Sequence, residues 1–303
     1  MSRDILAIDA GQTGIKVRLG GHDIVFPGIR TDEPLLPQLA AVAHGAVERT
    51  GVPASVIAAG VSGLTTRDAD AAALLARIDD AGVREVLLAH DSTTSFLGAL
   101  ADGRGAVVAA GGGVVTLAVG RDSVARVDGW GYLMGDAGSG YWIGREALDA
   151  VMREHDGRGP ATRLTDVARE RWPDLAQAYI SLQSAEDRVS IVASFAEPVA
   201  RLASDGDAVS QRITVRAGGE LAHSVETALR RVRTAESERF SVCAIGGVFR
   251  SAQLREAFTS HLSASELDAV LVEPLGHGID GAVALAGLVP GHPLAAAVSV
   301  ARA

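Results

Sequence analysis

Carboxylates stand at points of the sequence where they could do chemistry. Asp9 ends an apolar run and precedes the glycine turn Gly11-Gln12-Thr13, and Asp91 directly follows another apolar run. Asp136 lies in a stretch rich in glycine and aromatic residues. Such side chains can hold a hydrated Mg²⁺, act as a general base or accept hydrogens from hydroxyl groups. The set therefore suggests chemistry on a phosphate or a polyol.

The turn Gly11-Gln12-Thr13 could cradle a phosphate with its backbone N–H groups and the Thr13 hydroxyl, while Asp9 held Mg²⁺. The same turn is also typical of an ordinary hairpin, in which glycine serves the backbone conformation alone. Gly111-Gly112-Gly113 and Gly246-Gly247 again place glycines directly after apolar runs. Three such breaks favour a nucleotide-binding protein.

Asp91 and the stretch 128–144 each have two interpretations. Asp91 could cap a helix, or it could be a catalytic base at the carboxyl end of a strand. The stretch 128–144 holds six glycines, two of the three tryptophans and two of the three tyrosines. With Asp136 it suits a polyol or a sugar, and a packed loop before a helix is the alternative.

Several other function classes lack their motifs. The only lysine, Lys16, is not part of a G-x-x-x-x-G-K-[ST] sequence, and the spacing around Gly138 and Gly144 does not fit G-x-G-x-x-G. No G-x-S-x-G or H-E-x-x-H sequence occurs. Cys243 is the single cysteine, so an internal disulfide and a cysteine-rich metal site are excluded.

Composition limits the partners. The chain has 303 residues, of which 48% are hydrophobic and 21% charged, so it can form a large core. Its 28 Lys and Arg against 37 Asp and Glu give a net charge of −9, which argues against nucleic acid as a partner. No leader is evident and no apolar run approaches a membrane span, so we expect a cytoplasmic protein with no membrane partner.

The sequence patterns predict strands and helices that together form a mixed α/β fold and position these residues. Apolar runs predict strands at 5–9, 15–19, 24–26, 55–61, 85–89, 106–110, 114–119, 124–127, 242–245 and 269–272. Helical patterns fall at 34–49, 68–80, 91–101, 252–262 and 280–288, and most of 139–233 is also helical. The hairpin at 5–19 recurs about 100 residues later at 106–120. This duplication predicts two lobes of similar topology.

The motifs occur in a recognisable order. They are Ile8-Asp9-Ala10-Gly11-Gln12-Thr13, His90-Asp91, Ala110-Gly111-Gly112-Gly113, Gly129-Trp130-Gly131, Gly135 to Ser139, Tyr141-Trp142-Ile143-Gly144 and Gly246-Gly247-Val248-Phe249. From Ile5 to about Leu288 the chain resembles the N-acetylglucosamine kinase branch of the BadF/BadG/BcrA/BcrD ATPase family, within the actin–hexokinase–Hsp70 superfamily. The resemblance implies a kinase that uses ATP and Mg²⁺ to phosphorylate the 6-hydroxyl of an amino sugar. It also suggests a homodimer.

The resemblance further implies two ribonuclease-H-like lobes around a central cleft, at 1–105 and 106–303. The second lobe would carry a helical insertion, and its last helix would pack back on the first. Asp9 would serve the metal, and Asp91 would be the catalytic base and touch the sugar. The remaining roles would be phosphate binding (Gly11, Gln12, Thr13, Gly111, Gly112, Gly113), sugar binding (Gly129, Trp130, Gly131, Asp136) and adenosine binding (Gly246, Gly247).

Departures from the family pattern leave the sugar open. Ala137 stands where the family has Glu, Gly111-Gly112-Gly113-Val114 stands in place of Gly-Thr-Gly-Ser, and the loop 27–37 lacks an Asn-His pair. N-acetylglucosamine is the first expectation, with glucosamine or an N-acetylmuramic-acid-type sugar as alternatives. From another class, a non-catalytic ATP- and sugar-binding sensor stays open. An iron–sulfur activator of a dehydratase would need more cysteines than Cys243.

Overall fold

The computed structural model describes residues 4–78 and 82–303, which form two compact units. The first unit holds the described residues up to Val107, together with Val119–Val124 and Val272–Ala303. The second holds Val108–Ala118 and Ala125–Leu271. The chain therefore returns to its first unit after Leu271.

The strands of the described chain are β1 (Ile5–Ala10), β2 (Ile15–Leu19), β3 (His22–Phe26), β4 (Val56–Val61), β5 (Glu85–His90), β6 (Gly105–Ala110), β7 (Val114–Val119), β8 (Val124–Val127), β9 (Arg239–Ile245), β10 (Asp268–Leu271) and β11 (Val298–Arg302). The α-helices are α1 (Leu35–Thr50), α2 (Ala71–Leu75), α3 (Asp91–Leu100), α4 (Gly140–His155), α5 (Leu164–Arg171), α6 (Leu175–Ser184), α7 (Arg188–Ser194), α8 (Ala196–Ser204), α9 (Ala208–Val232), α10 (Ala252–Ser263) and α11 (Gly278–Leu285). Short 3₁₀ turns occupy Gly247–Arg250 and Pro293–Ala297.

The two sheets have matching strand orders, apart from one additional strand, β11, at the edge of the first. The first runs β11-β5-β4-β1-β2-β3, and the second runs β10-β9-β6-β7-β8. In the first, β1 pairs antiparallel with β2 and parallel with β4, and β4 is parallel to β5. Without β11, the first order matches the second when β6, β7 and β8 take the places of β1, β2 and β3. The duplication predicted from the hairpins is confirmed.

Buried apolar side chains explain why the central strands form. All six residues of β4 are buried, and β1 contributes Leu6, Ile8 and Ala10 to the core cluster of the first unit. The helix α1 packs its apolar stripe, including Leu39 and Ala43, into the same cluster. A strand buried on both faces is typical of the centre of an α/β sheet. Residues at the carboxyl ends of β1 and β5 are thereby held on a rigid scaffold.

Most element predictions are confirmed within a few residues, one helix is shorter than predicted, and one strand was not predicted. The helix predicted over 68–80 is limited to α2 among the described residues. Asp70 caps the start of α2 through a 2.9 Å bond from the Ala73 N–H, and residues 79–80 lie outside the described part. The strand β11 was not predicted. It pairs antiparallel with β5, and its Arg302 forms a 2.8 Å ion pair with Glu85.

The helices α3 and α11 of the first unit cross at a glycine contact. A Cβ added at Gly281 would fall well inside the radius of the Thr94 carbonyl oxygen, and one at Gly98 would collide with the His277 carbonyl. Backbone therefore meets backbone here, and a side chain at either position would force the two helices apart.

We expect Gly281→Ala to lower the free energy of unfolding by about 1–3 kcal/mol or more, because the added methyl overpacks a fixed backbone contact. Gly287→Ala is the matched control, since its Cβ would meet nothing nearer than the Ala284 carbonyl at 3.6 Å. Urea unfolding of both variants measures the difference. Equal stabilities would show that the crossing is looser than described.

None of the described helices is long and apolar enough to cross a membrane.

Candidate functional site

In the first unit, Asp9 lies near the end of β1, with Lys16 opposite on β2 and Gly60 opposite on β4. The start of α11 covers its carboxylate: a Cβ at Gly278 would lie 2.7 Å from Asp9 Oδ2. Only glycine leaves room for the carboxylate at this position. Gly278 thus joins the candidate site, and sequence reasoning had missed it.

The surroundings of Asp9 disfavour its charged form, so its pKa is raised. Burial is the main cause that raises the pKa of Asp9 above its ordinary value, and the negative charge of Asp91 raises it further. Lys16 and His277 oppose this and lower the pKa of Asp9. A partly buried carboxylate beside a second one is a good position for a cation, because the cation would relieve both costs.

Asp91 occupies the first position of α3 and is not the residue that caps it. The N-cap is His90, whose Nδ1 accepts the Ser92 N–H at 3.1 Å. Nδ1 also lies 2.8 Å from Asp91 Oδ1. The capping interpretation of Asp91 is therefore wrong. The Asp91 side chain is 26% exposed, at the carboxyl end of β5.

The glycine turn after β1 presents Gln12 and Thr13 to solvent. Gly11 N–H donates to the Gly14 carbonyl at 3.2 Å, and the Ile29 N–H donates to the Gly11 carbonyl at 3.0 Å. A Cβ at Gly28 would overlap the Gln12 carbonyl oxygen. The segment around Gly28 therefore packs against the turn and leaves the side chains of Gln12 and Thr13 exposed.

Residues before α11 add a polar group that the sequence analysis did not name. His277 is the exposed N-cap, and its N–H donates to Asp280 Oδ2 at 2.8 Å. Asp280 Oδ1 accepts from Arg18 at 2.7 Å. These hydrogen bonds hold the pKa of Asp280 below its ordinary value. The signal for this cap was a His-Gly pair three residues before an acidic residue, which is visible in the sequence but not specific.

In the second unit, the turn Gly111-Gly112-Gly113 is exposed and joins the start of α4. Gly140 N–H donates to the Gly111 carbonyl at 2.7 Å, and Tyr141 N–H donates to the Gly112 carbonyl at 3.0 Å. Gly246 has a φ of 104°, and a Cβ there would overlap the Ala110 carbonyl. The predicted phosphate turn and the predicted adenosine glycines therefore lie next to each other at the ends of β6 and β9.

Asp136 belongs to the same cluster. It is only 7% exposed, its Oδ1 accepts the Gly131 N–H at 3.2 Å, and a Cβ at Gly113 would lie 2.7 Å from Oδ2. Burial and the nearby charge of Asp128 raise the pKa of Asp136, while backbone donors from Gly131 and Val114 lower it. The Asp136 carboxylate thus lies against Gly113 of the glycine turn and also bonds to Gly131 of the loop 128–136.

The carboxylate of Asp128 accepts hydrogen bonds from several backbone groups of that loop. Oδ1 accepts the N–H groups of Gly129 at 2.8 Å and Asp136 at 2.7 Å, and Oδ2 accepts that of Ala137 at 2.9 Å. Both Asp128 and Asp136 have positive φ, near 60°. The Asp128 carboxylate therefore helps to hold the loop in an uncommon backbone conformation.

We expect Asp128→Ala to lower the free energy of unfolding by about 2 kcal/mol or more, since three backbone donors lose their acceptor. Asp122→Ala, in an exposed turn, is the control and should have little effect. Urea unfolding measures both. An Asp128→Ala variant as stable as its control would mean that water replaces the carboxylate without loss.

The apex of this loop leaves large apolar groups in solvent. Trp130 is 64% exposed with the Arg126 guanidinium 5.6 Å from its ring, and Leu133 and Met134 are more than 80% exposed. Gly129 and Gly131 both have positive φ, which only glycine adopts easily. The predicted sugar residues thus share one loop, with Trp130 outside and Asp136 inside.

The described residues contain no group of three or more His, Cys, Asp or Glu that could cage a metal. Mg²⁺ usually keeps several of its waters and binds through one or two carboxylates and substrate phosphates. The half-buried Asp9, with its raised pKa, is the donor in the first unit that suits it.

Two curated proteins are similar in sequence to part of this chain. Over 147 residues the chain is 31% identical to an N-acetyl-D-glucosamine kinase of Dictyostelium discoideum, covering 47% of this chain and 46% of the relative. Over 178 residues it is 28% identical to an N-acetylmuramic acid/N-acetylglucosamine kinase of Clostridium acetobutylicum, covering 55% of each. The matches span about half the length of these curated relatives.

A solved structure of a candidate N-acetylglucosamine kinase from Chromobacterium violaceum superposes with a TM-score of 0.70 at 23% identity, covering 93% of this chain and 98% of that one. The predicted α/β fold of the actin-like ATPase type is confirmed. A match to the family itself extends over residues 31–286. The chain belongs to the BadF/BadG/BcrA/BcrD ATPase family, and membership of an ATPase family implies the use of ATP.

Proposed function

We propose that the chain is an ATP-dependent sugar kinase that transfers the γ-phosphate to the 6-hydroxyl of an amino sugar, N-acetylglucosamine first. The observation that carries the proposal is Asp91: it opens α3 at a strand end, yet His90 has taken the capping role. A carboxylate placed there without a capping function is suited to act as a base. The two curated relatives, both kinases of N-acetylated amino sugars, support the substrate class.

In this mechanism Asp91 accepts the proton of the sugar 6-hydroxyl while that oxygen attacks the γ-phosphorus of ATP. The new O–P bond forms as the bond to the bridging oxygen of the leaving ADP breaks. Phosphoryl transfer needs positioning and charge neutralisation more than covalent participation by the protein. Asp9 would hold Mg²⁺, which neutralises phosphate charge when it is bound.

The glycine turns would position the phosphates in this mechanism. Gly11 to Thr13 in the first unit and Gly111 to Gly113 in the second are exposed turns fixed by backbone hydrogen bonds. A fixed turn can direct its N–H groups at an anion without the entropic cost of ordering itself on binding. Gly246 and Gly247 would approach the adenosine, and the loop 129–136 would take the sugar.

The test is Mg²⁺-dependent ADP release with ATP over a panel of glucose, glucosamine, N-acetylglucosamine and N-acetylmuramic acid. We expect N-acetylglucosamine to give the highest kcat/KM, with phosphate on its 6-position by NMR. A higher value for N-acetylmuramic acid or glucosamine would retain the kinase and change the sugar. Sugar and ATP binding with no ADP release across the panel would replace the kinase by a sensor.

A further inference from the structure

A cavity lies in the helical part of the second unit, along α4 and α9. Its volume is about 520 Å³, within the range of small-molecule sites. The lining residues come from one face of each helix and from the loop after α4: Arg145, Glu146, Asp149, Ala150, Arg153, Pro160, Val209, Arg212, Ile213 and Arg216. None of them belongs to the site proposed above.

Positive charge dominates this cavity. Four arginines face two carboxylates, an excess of two positive charges in a chain whose net charge is −9. One carboxylate is shared: Glu146 accepts from Arg145 at 2.6 Å and from Arg216 at 2.7 Å. Two guanidinium groups on one carboxylate are only half neutralised, so each keeps N–H donors for a further anion.

The other two arginines differ from each other. Arg153 pairs with Asp149 at 2.6 Å and is balanced. Within residues 4–78 and 82–303, the Arg212 guanidinium has neither a hydrogen bond nor an ion pair. Arg212 is therefore the donor of the cavity that is most available to a ligand.

The rest of the wall is apolar. Ala150, Pro160, Val209 and Ile213 line the cavity, and Arg216 is fixed from behind by Trp142, whose ring centre lies 5.1 Å from the guanidinium carbon. A guanidinium fork binds phosphate through two parallel hydrogen bonds, and its planar shape loses little freedom on binding. An excess of two charges with an apolar strip suits a dianion attached to a carbon skeleton.

We propose that this cavity binds a small phosphate monoester, with Arg212, Arg145 and Arg216 as the phosphate ligands. The free phosphate dianion shares the same recognition chemistry and is the second source of ligand. The α4 helix links the cavity to the glycine turn, because its first two N–H groups donate to Gly111 and Gly112. Binding is measured directly, so it succeeds or fails independently of the kinase activity.

The experiment is calorimetric titration of the full chain at low salt with glucose 6-phosphate, with inorganic phosphate and with glucose as the uncharged control. Arg212→Gln should weaken glucose 6-phosphate binding about tenfold or more, as expected for loss of a charge-assisted hydrogen bond. Glu146→Gln should tighten it, because the cavity gains one unit of positive charge. Thermal unfolding of each variant checks that it is folded.

Arg169→Gln is the matched control, an exposed arginine of α5 in the same unit that does not line the cavity. Its affinity should equal that of the unaltered chain. Stronger binding of the ester than of inorganic phosphate identifies the monoester as ligand, and equal binding identifies the free dianion. If Arg212→Gln leaves the affinity unchanged, as it would if the ester bound at the sugar site, the proposal is overturned. The absence of saturable binding would also overturn it.

Discussion

Asp91→Asn is expected to lower kcat by about 10²–10⁴-fold, the usual effect of removing a general base. The amide keeps the shape of the side chain but cannot accept a proton at neutral pH. Since His90 and not Asp91 caps α3, the helix should begin as before. ATP affinity, measured with a fluorescent nucleotide, should stay within about threefold of that of the unaltered chain, a change worth less than about 0.7 kcal/mol.

Asp70→Asn is the matched control for this substitution. Asp70 is a true helix N-cap in the same unit, with a 2.9 Å bond from the Ala73 N–H, and asparagine caps nearly as well. Its kcat should be unchanged. If Asp91→Asn loses nucleotide affinity and stability together with turnover, Asp91 has a structural role and not a catalytic one.

Asp9→Asn is expected to lower kcat/KM for Mg–ATP by about 10²-fold or more, as loss of a fixed electrostatic group at a transition state does. It should also raise Tm at neutral pH without nucleotide. The reason is the raised pKa of Asp9: the folded chain holds that proton more tightly than the unfolded chain. The free energy of unfolding therefore falls as pH rises through the raised pKa of Asp9, and the amide removes this loss.

Asp23→Asn gives the opposite sign. Asp23 is exposed on β3, and the hydrogen bond from Arg18 lowers its pKa, so its charge favours the fold. Its loss should slightly lower Tm at neutral pH and leave kcat unchanged. Differential scanning calorimetry at two pH values and steady-state kinetics measure both variants. A Tm for Asp9→Asn that is unchanged or lower would contradict the assignment of Asp9 as a strained carboxylate kept for binding.

The sequence predicted the duplicated sheets because strand–turn–strand patterns are local. The apolar runs at 5–19 and 106–119 can be recognised as strands from their period and length. The strand β11 was not predicted, because its pairing with β5 joins residues far apart in the chain and a run of five residues carries little signal. The same limit applied to α2, whose start at Ala71 depends on the single capping residue Asp70.

Within the candidate site, the sequence predicted residue types but not their supports. Asp9 and Asp91 stand out because each follows an apolar run. The role of Asp128 could not be seen, since it depends on which backbone N–H groups a folded loop turns toward one carboxylate. Gly278 was equally hidden, because its importance comes from a helix that returns to Asp9 from the far end of the chain.

The glycine crossing of α3 and α11 bears on how this protein could change its substrate. One of these helices begins at Asp91 and the other against Asp9, and they meet main chain to main chain at Gly98 and Gly281. The packing of α11 against the helix that begins at Asp91 therefore depends on contacts between peptide groups at Gly98 and Gly281. Laboratory evolution toward a new acceptor should spare this frame and accumulate its substitutions in the loop 129–136.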